Sequence, residues 1–313
     1  MENGRGVTIS VVIPVYKAED YLHNLYLRLK ASLEAITPDY EIIIVEDCGG
    51  DHSWEVIMEL SKTDKRVKGI QLSRNFGQHN ALLCGIRTAQ GGVIVTMDDD
   101  LQHPPEEISK LLNKLAEGYD VVYGIPQKER HNFWRTIASR VTKLALQSAI
   151  GAEIAQKVSA FRAFRGNLRN AFADYQGPFV SIDVLLTWGT TRFVGIPVQH
   201  DPRQLGKSHY NFSRLVVHAL NMLTGFSTLP LQLASLIGFA FILFGLGVLA
   251  YVIGRFLIEG GKVPGFSFLA SLITIFSGAQ LFSLGIIGEY LARMHFRMMN
   301  RPIYVVHSTT FQS

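Results

Sequence analysis

Cysteine is scarce in this 313-residue chain: Cys48 and Cys84 are too few for a disulfide framework, and neither sits in a C-x-x-C spacing. That scarcity fits a reduced, intracellular catalytic portion. Charge of one sign is scarce as well. The formal net charge is +4, far from the dense basic stripe of a nucleic-acid binder, yet suited to resting against an anionic membrane surface. A G-x-G-x-x-G is missing after the first strand-like run, where the chain reads Pro14-Val15-Tyr16-Lys17-Ala18-Glu19, and this excludes a dinucleotide oxidoreductase. Gly206-Lys207-Ser208 mimics the end of a P-loop, but Asp201 stands where the first glycine belongs. The polar stretch Met1–Val7 shows no signal peptide, so the residues before the first apolar run are expected to stay on the side where they are made.

Apolar residues, by contrast, are abundant: 48% of the chain is hydrophobic, with the excess gathered after Leu229. Short Val/Ile-rich runs predict strands over Thr8–Tyr16, Glu41–Asp47, Val67–Ser73, Gly92–Asp98 and Asp120–Gly124. Between them lie amphipathic stretches at helical spacing, such as Tyr21, Leu22, Leu25, Leu29 and Leu33. Alternating β and α segments imply an α/β fold, a mostly parallel sheet with helices on both faces. Such sheets bind ligands at the carboxyl ends of their strands, where Tyr16, Asp47, Asp98 and Asp100 fall.

Farther along, a helix is expected over Phe133–Ile150, and an amphipathic stretch over Ser208–Phe226 is expected to lie in a membrane interface. The runs Leu231–Gly254 and Phe266–Gly288 carry no charge, and each exceeds the roughly 20 residues needed to cross a bilayer. Arg203, Lys207 and Arg214 precede the first run, and Arg293, Arg297 and Arg301 follow the second, which places both ends in the cytoplasm. The expected organisation is a catalytic unit over 1–205, juxtamembrane helices over 206–228, a two-span hairpin over 229–290 and a cytoplasmic tail over 291–313. Small and polar residues inside the spans predict helix–helix contacts between copies, a tetramer being favoured over a dimer.

Chemistry concentrates at Asp98-Asp99-Asp100-Leu101-Gln102-His103-Pro104-Pro105. Three adjacent carboxylates repel one another and give a sheet nothing in return. A divalent cation relieves that repulsion, and hard oxygen ligands suit Mg²⁺ or Mn²⁺. A solvated acidic loop, with Asp100 capping the next helix, is the plainer alternative. Tyr16 with Glu19, and Asp47 in Val45-Glu46-Asp47-Cys48-Gly49-Gly50-Asp51, supply an aromatic and acids for a nucleobase and ribose, although strand ends followed by turns also read this way.

These segments, in this order, resemble family 2 glycosyltransferases of GT-A fold, with Asp98 and Asp100 matching the D-x-D. The likeness extends through Ser73-Arg74-Asn75-Phe76-Gly77-Gln78-His79-Asn80, Arg203-x-x-Gly206-x-Ser208-x-Tyr210, Phe226-Ser-Thr-Leu-Pro230 and Gly285-Ile-Ile-Gly288-Glu289-Tyr290. Joined to two spans, it is similar to the polyprenyl-phosphate glycosyltransferases, and that resemblance implies the following roles. Pro14, Tyr16, Glu19 and Asp47 hold the nucleotide; Asp98 and Asp100 sit at diphosphate and metal, with Gln102 completing the metal shell. Arg162 lies near the donor. Arg135, Ser139, Arg203 and Ser208 meet the acceptor phosphate. The implied reaction is an inverting transfer of one sugar from a nucleotide-sugar, UDP by default, to a polyprenyl phosphate, undecaprenyl in a bacterium. A lipid phosphate is already anionic and needs no strong base. The chain departs from the pattern at Pro126, Ala160 and His209. A processive synthase would carry Q-x-x-R-W and more spans, neither of which is present. A catalytically silent nucleotide-sugar scaffold is the remaining alternative, opposed by the intact Asp98, Asp100 and Gln102.

Overall fold

Runs of β-branched residues become strands in the computed structural model, which describes residues 9–126, 154, 157–177, 179–201, 224, 228–259 and 265–311. β1 (Ile9–Val15), β2 (Tyr40–Glu46) and β4 (Val93–Thr96) are buried at every position, as strands covered on both faces must be. With β3 (Val67–Leu72), β5 (Val121–Pro126), β6 (Arg162–Arg165), β7 (Phe193–Val198) and β8 (Val306–Thr309) they form one sheet in the order β7-β5-β6-β4-β1-β2-β3-β8. β1 pairs in parallel with β2 and β4, β2 with β3, and β5 with β7. Only β6 and β8 run against their neighbours among the described residues. The five expected strands are all present, their ends shifted by no more than two residues.

Five shorter helices cover this sheet: α1 (Leu22–Glu34), α2 (Ser53–Thr63), α3 (Gln78–Thr88), α4 (Ile108–Ala116) and α5 (Ile182–Thr187). The pleat decides which side chains meet them. Ile9, Val11, Ile13 and Val15 of β1 pack under α1, α2 and α4, while Val12 faces the layer of α3 and α5. α3 lies so close to the sheet that a Cβ on Gly85 would stand 2.4 Å from Val12 Cγ1. Glycine is therefore required there for packing, not for its backbone freedom.

Two long helices follow, α6 (Leu229–Glu259) and α7 (Phe266–Met298). They contain apolar stretches of 30 and 24 residues with mean hydropathy 2.6 and 1.3, long and apolar enough to cross a membrane. Phe276 of α7 meets Phe241 and Phe244 of α6, with ring centroids 5.6 and 6.5 Å apart. Elsewhere their large side chains, including Leu236, Phe239, Leu281 and Phe282, project outward without protein cover. An uncovered apolar surface of this extent is foreign to a water-facing protein. The expected spans lie inside these helices.

The expected tail over 291–313 is corrected by the structure. α7 continues to Met298, Ile303 is buried against α3 and its neighbours, and β8 adds itself to the sheet beside β3. Short polar strands of this kind carry no alternating pattern, so the sequence gives no sign of the return. The expected helix over Phe133–Ile150 lies outside the described residues, as does the stretch Ser208–Phe226 apart from Thr224.

Candidate functional site

Three parallel strands deliver the polar residues to one edge of the sheet. β1 ends into Tyr16, β2 into Asp47, and β4 into Met97 and Asp98-Asp99-Asp100. The residue after each group has a left-handed backbone: Lys17 at φ 58°, Cys48 at φ 54° and Leu101 at φ 58°. None is glycine, and each such conformation costs roughly 1 kcal/mol. Strain of this kind gathers where the chain must turn sharply to present a functional group. Turns after the first two strand ends were legible in the sequence, but the left-handed residues within them were not, because glycine is the residue that signals that conformation.

Asp47 is fixed by backbone. One of its oxygens accepts the Phe76 N–H at 2.7 Å, and the other accepts the Gly77 N–H at 2.8 Å. It is 3% exposed, and burial pushes its carboxyl above the usual range despite those two bonds. Gly77 has φ 93°, a conformation that turns the β3–α3 loop back so that both N–H groups point at Asp47. Glu19 accepts the His52 N–H at 2.7 Å, while its own N–H donates to Asp51 at 3.3 Å, clasping the loops that follow β1 and β2. Tyr16 stands 48% exposed at the mouth, with the Lys17 ammonium 5.5 Å from its ring centre, and Pro14 is buried in β1 behind it.

The acidic turn is held on three sides. Asp98 accepts from Gln78 Nε2 at 2.6 Å, Asp99 from the Tyr16 N–H at 3.3 Å, and Asp100 from the Gln102 N–H at 3.2 Å. Asp99 is pushed up to about 7, first by burial and then by the charges of Asp98 and Asp100. The Gln102 carbonyl accepts the Asp201 N–H at 2.8 Å, so the chain after β7 leaves from this turn. His103 stacks on Phe161 and meets the edge of His200, with ring centroids 5.3 and 5.0 Å apart. Burial, then His200, pushes His103 down to about 4, leaving it neutral.

Pro14, Tyr16, Glu19, Asp47, Asp98, Asp100 and Gln102 are therefore assembled along one edge. Arg162 is not among them, which corrects the expectation that it lies at the donor. Its side chain, 2% exposed, is consumed inside the sheet: Nε donates to Thr96 Oγ1 at 3.0 Å and Nη1 to Asp183, whose carboxylate also accepts from Tyr123. It is a strut beneath the acidic turn. Arg135, Ser139, Arg203 and Ser208 lie outside the described residues. Gln78 received no role from the sequence, although a polar side chain opening a helix that follows a loop is a visible signal.

Among the described residues no group of three or more His, Cys, Asp or Glu side chains gathers around a common point. Two carboxylates and an amide oxygen are nonetheless what a hard cation takes from a protein when phosphates fill its other positions.

A sequence-family model described as "Glycosyl transferase family 2" matches residues 10–175. The undecaprenyl-phosphate 4-deoxy-4-formamido-L-arabinose transferase of Pectobacterium carotovorum subsp. carotovorum (strain PC1) is 34% identical over 304 residues, 96% of this chain and 93% of that protein. Among solved structures, glucosyl-3-phosphoglycerate synthase from Mycobacterium tuberculosis, in complex with Mn²⁺, UDP and phosphoglyceric acid, superposes with TM-score 0.51 at 16% identity, covering 70% of this chain and 77% of that one. Mannosyl-3-phosphoglycerate synthase from Rubrobacter xylanophilus gives TM-score 0.50 at 16% identity, with 69% and 73% covered.

Proposed function

Because this chain belongs to glycosyltransferase family 2, we propose that it transfers a single sugar from a nucleotide-sugar, UDP-linked by default, to a polyprenyl phosphate at the cytoplasmic face of a membrane. The observation that carries this reading is the extent of the match to the arabinose transferase. At 96% of the chain, it takes in the catalytic sheet and both apolar helices together. In a bacterium the acceptor is undecaprenyl phosphate, and the product is a polyprenyl monophosphoryl sugar for envelope modification.

Tyr16 stacks on the base, and Asp47, Glu19 and the end of β1 at Pro14 shape the nucleotide's seat. Asp98, Asp100 and Gln102 hold Mg²⁺ or Mn²⁺; the bound cation supplies positive charge against the diphosphate that leaves. Gln78 keeps Asp98 aimed at that position. Arg135 and Arg203, with Ser139 and Ser208, hold the acceptor phosphate. The chain departs from the acidic turn at Asp201, two residues before Arg203, which favours an arginine contact near the reacting centre. Arginine suits this role because its planar fork matches phosphate oxygens in pairs. The acceptor phosphate is already anionic, so the transfer relies on its own charge for its nucleophile. α6 and α7 form the membrane hairpin with both ends cytoplasmic, and copies associate through it as a homo-oligomer, a tetramer before a dimer.

The test incubates detergent-purified protein with undecaprenyl phosphate, Mg²⁺ or Mn²⁺ and a panel of nucleotide-sugars, reading the lipid product by mass. One sugar per lipid phosphate, metal-dependent and lost in Asp100→Ala, is the expected result. A product whose glycan keeps growing would overturn the proposal in favour of a synthase.

A further inference from the structure

The chain returns to the catalytic sheet after α7, and every step of that return is bonded. Ile303 is buried in the core layer that contains α3. Arg87 of α3 reaches the Tyr304 hydroxyl at 3.5 Å, its guanidinium also within 5.8 Å of the ring centre. The Val305 carbonyl accepts the Ser73 N–H at 2.9 Å. β8 then pairs Leu72 with Val306, Gln71 with Ser308 and Ile70 with Thr309. Gly69 donates its N–H to Thr310 Oγ1 at 2.9 Å, and its carbonyl accepts the Thr310 N–H at 3.0 Å. Lys68 lies 5.7 Å from the Phe311 ring centre. The outer edge of β3 is thus held from Lys68 to Ser73.

What β3 leads into gives this grip its meaning. Ser73 opens the loop whose Phe76 and Gly77 N–H groups hold both oxygens of Asp47. The next residue, Gln78, holds Asp98 at 2.6 Å. A single loop therefore aims the acid at the end of β2 and an acid at the end of β4, and its first residue is bonded to the segment that follows the membrane helix. Extended backbone pinned at one end places the few residues beyond it far more tightly than a free loop does, and sub-ångström placement is what a reacting site requires.

We infer that Ile303–Phe311 is a positioning element of the donor site, with Ser73, Val305 and Thr310 its key contacts, holding Asp47 and Gln78 through the β3–α3 loop. The inference rests on the reading of that edge as a nucleotide-sugar site. It also makes α7 and the site one mechanical unit, since only residues 299–302 separate the helix end from the buried Ile303.

The test compares the full chain with one ending at Arg301, and with Thr310→Val, which removes the acceptor of the Gly69 N–H while keeping the side chain's size. Truncation is expected to raise the donor KM about tenfold while leaving the acceptor KM and kcat within about twofold. Thr310→Val is expected to raise the donor KM by about two- to threefold. A synthetic peptide of residues 302–313, added in trans, should return the truncated chain's donor KM toward that of the full chain. Amide hydrogen exchange at Phe76 and Gly77 should quicken in both variants, and this reads the loop whatever ligand the site takes. Unchanged exchange in the variants would overturn the inference alone, whereas quickened exchange in the variants together with a full chain that binds no nucleoside diphosphate would sink the site reading alone. A kcat that falls with the donor KM unmoved, or a peptide that repairs nothing, would reduce the segment to a structural element.

Discussion

Asp47 and Asp98 end the two strands that flank β1, yet their surroundings treat them in opposite ways. Asp47 is buried with a backbone N–H on each oxygen, so its position is fixed even though burial raises its carboxyl above the usual range. Asp98 is held by the Gln78 side-chain amide in a run of three partly exposed acids, where burial, and then the charges of Asp98 and Asp100, lift Asp99 to about 7. The first arrangement is the rigid shape proposed above to recognise a base or ribose, and the second is the seat proposed for a dication carrying a diphosphate.

Breaking the acidic turn should have the largest effect. Asp100→Ala is expected to lower transfer on the order of a thousandfold while the melting temperature stays within a few degrees, as measured by product mass and thermal unfolding. Next comes the strut beneath it. Arg162→Met leaves Asp183 charged and buried, so chemical denaturation should show a loss of about 3–5 kcal/mol, with activity per folded molecule nearly retained. A donor KM that rises strongly in that variant without any loss of stability would restore Arg162 as a donor contact.

Asp47→Ala sharpens the contrast from the other side. It strands the Phe76 and Gly77 N–H groups, and should cost about 1–3 kcal/mol in stability as well as raising the donor KM. Asp100→Ala separates those two readouts, and Asp47→Ala should not.

A smaller effect is expected away from the site. Hydrogen bonds from the Arg66 guanidinium hold the Asp64 carboxyl down at about 2. A folded-state value below the unfolded one, about 3.9, means that the contribution is fully present above that value and is lost as pH falls toward 2. Urea unfolding at stepped pH should therefore show a flatter acid limb in Asp64→Asn than in the parent. Smallest of all is Cys48→Gly, which relieves a left-handed residue and should raise stability by no more than about 1 kcal/mol.

Legibility in the sequence followed burial. β1 to β5 were readable because strands covered on both faces must be continuous runs of Val and Ile, and the polar residues closing such runs mark the ligand edge. α6 and α7 were readable because a bilayer sets a length that few other environments demand. Arg162 was misplaced because a Phe-Arg pair records adjacency along the chain and says nothing of depth; only the fold shows Asp183 and Thr96 waiting for the guanidinium. The backbone donors of Asp47 could not be read either, since an N–H group belongs to every residue but proline. β8 was invisible for a different reason. Its partner, β3, lies more than two hundred residues earlier, with Gly69 and Thr310 separated by 241 positions, and no local pattern encodes a pairing of that range.

That separation also sets an order of events during synthesis. The strands and helices up to β7 can collapse as they emerge, but β3 remains an open edge, with unpaired backbone groups along its outer side. The segment that covers it is translated only after α6 and α7. Until that segment is made, the sheet is unfinished and its edge is open to aggregation and proteolysis. Closure of the sheet therefore waits until both apolar helices have been made, so the last strand to join it is also the last to be synthesised.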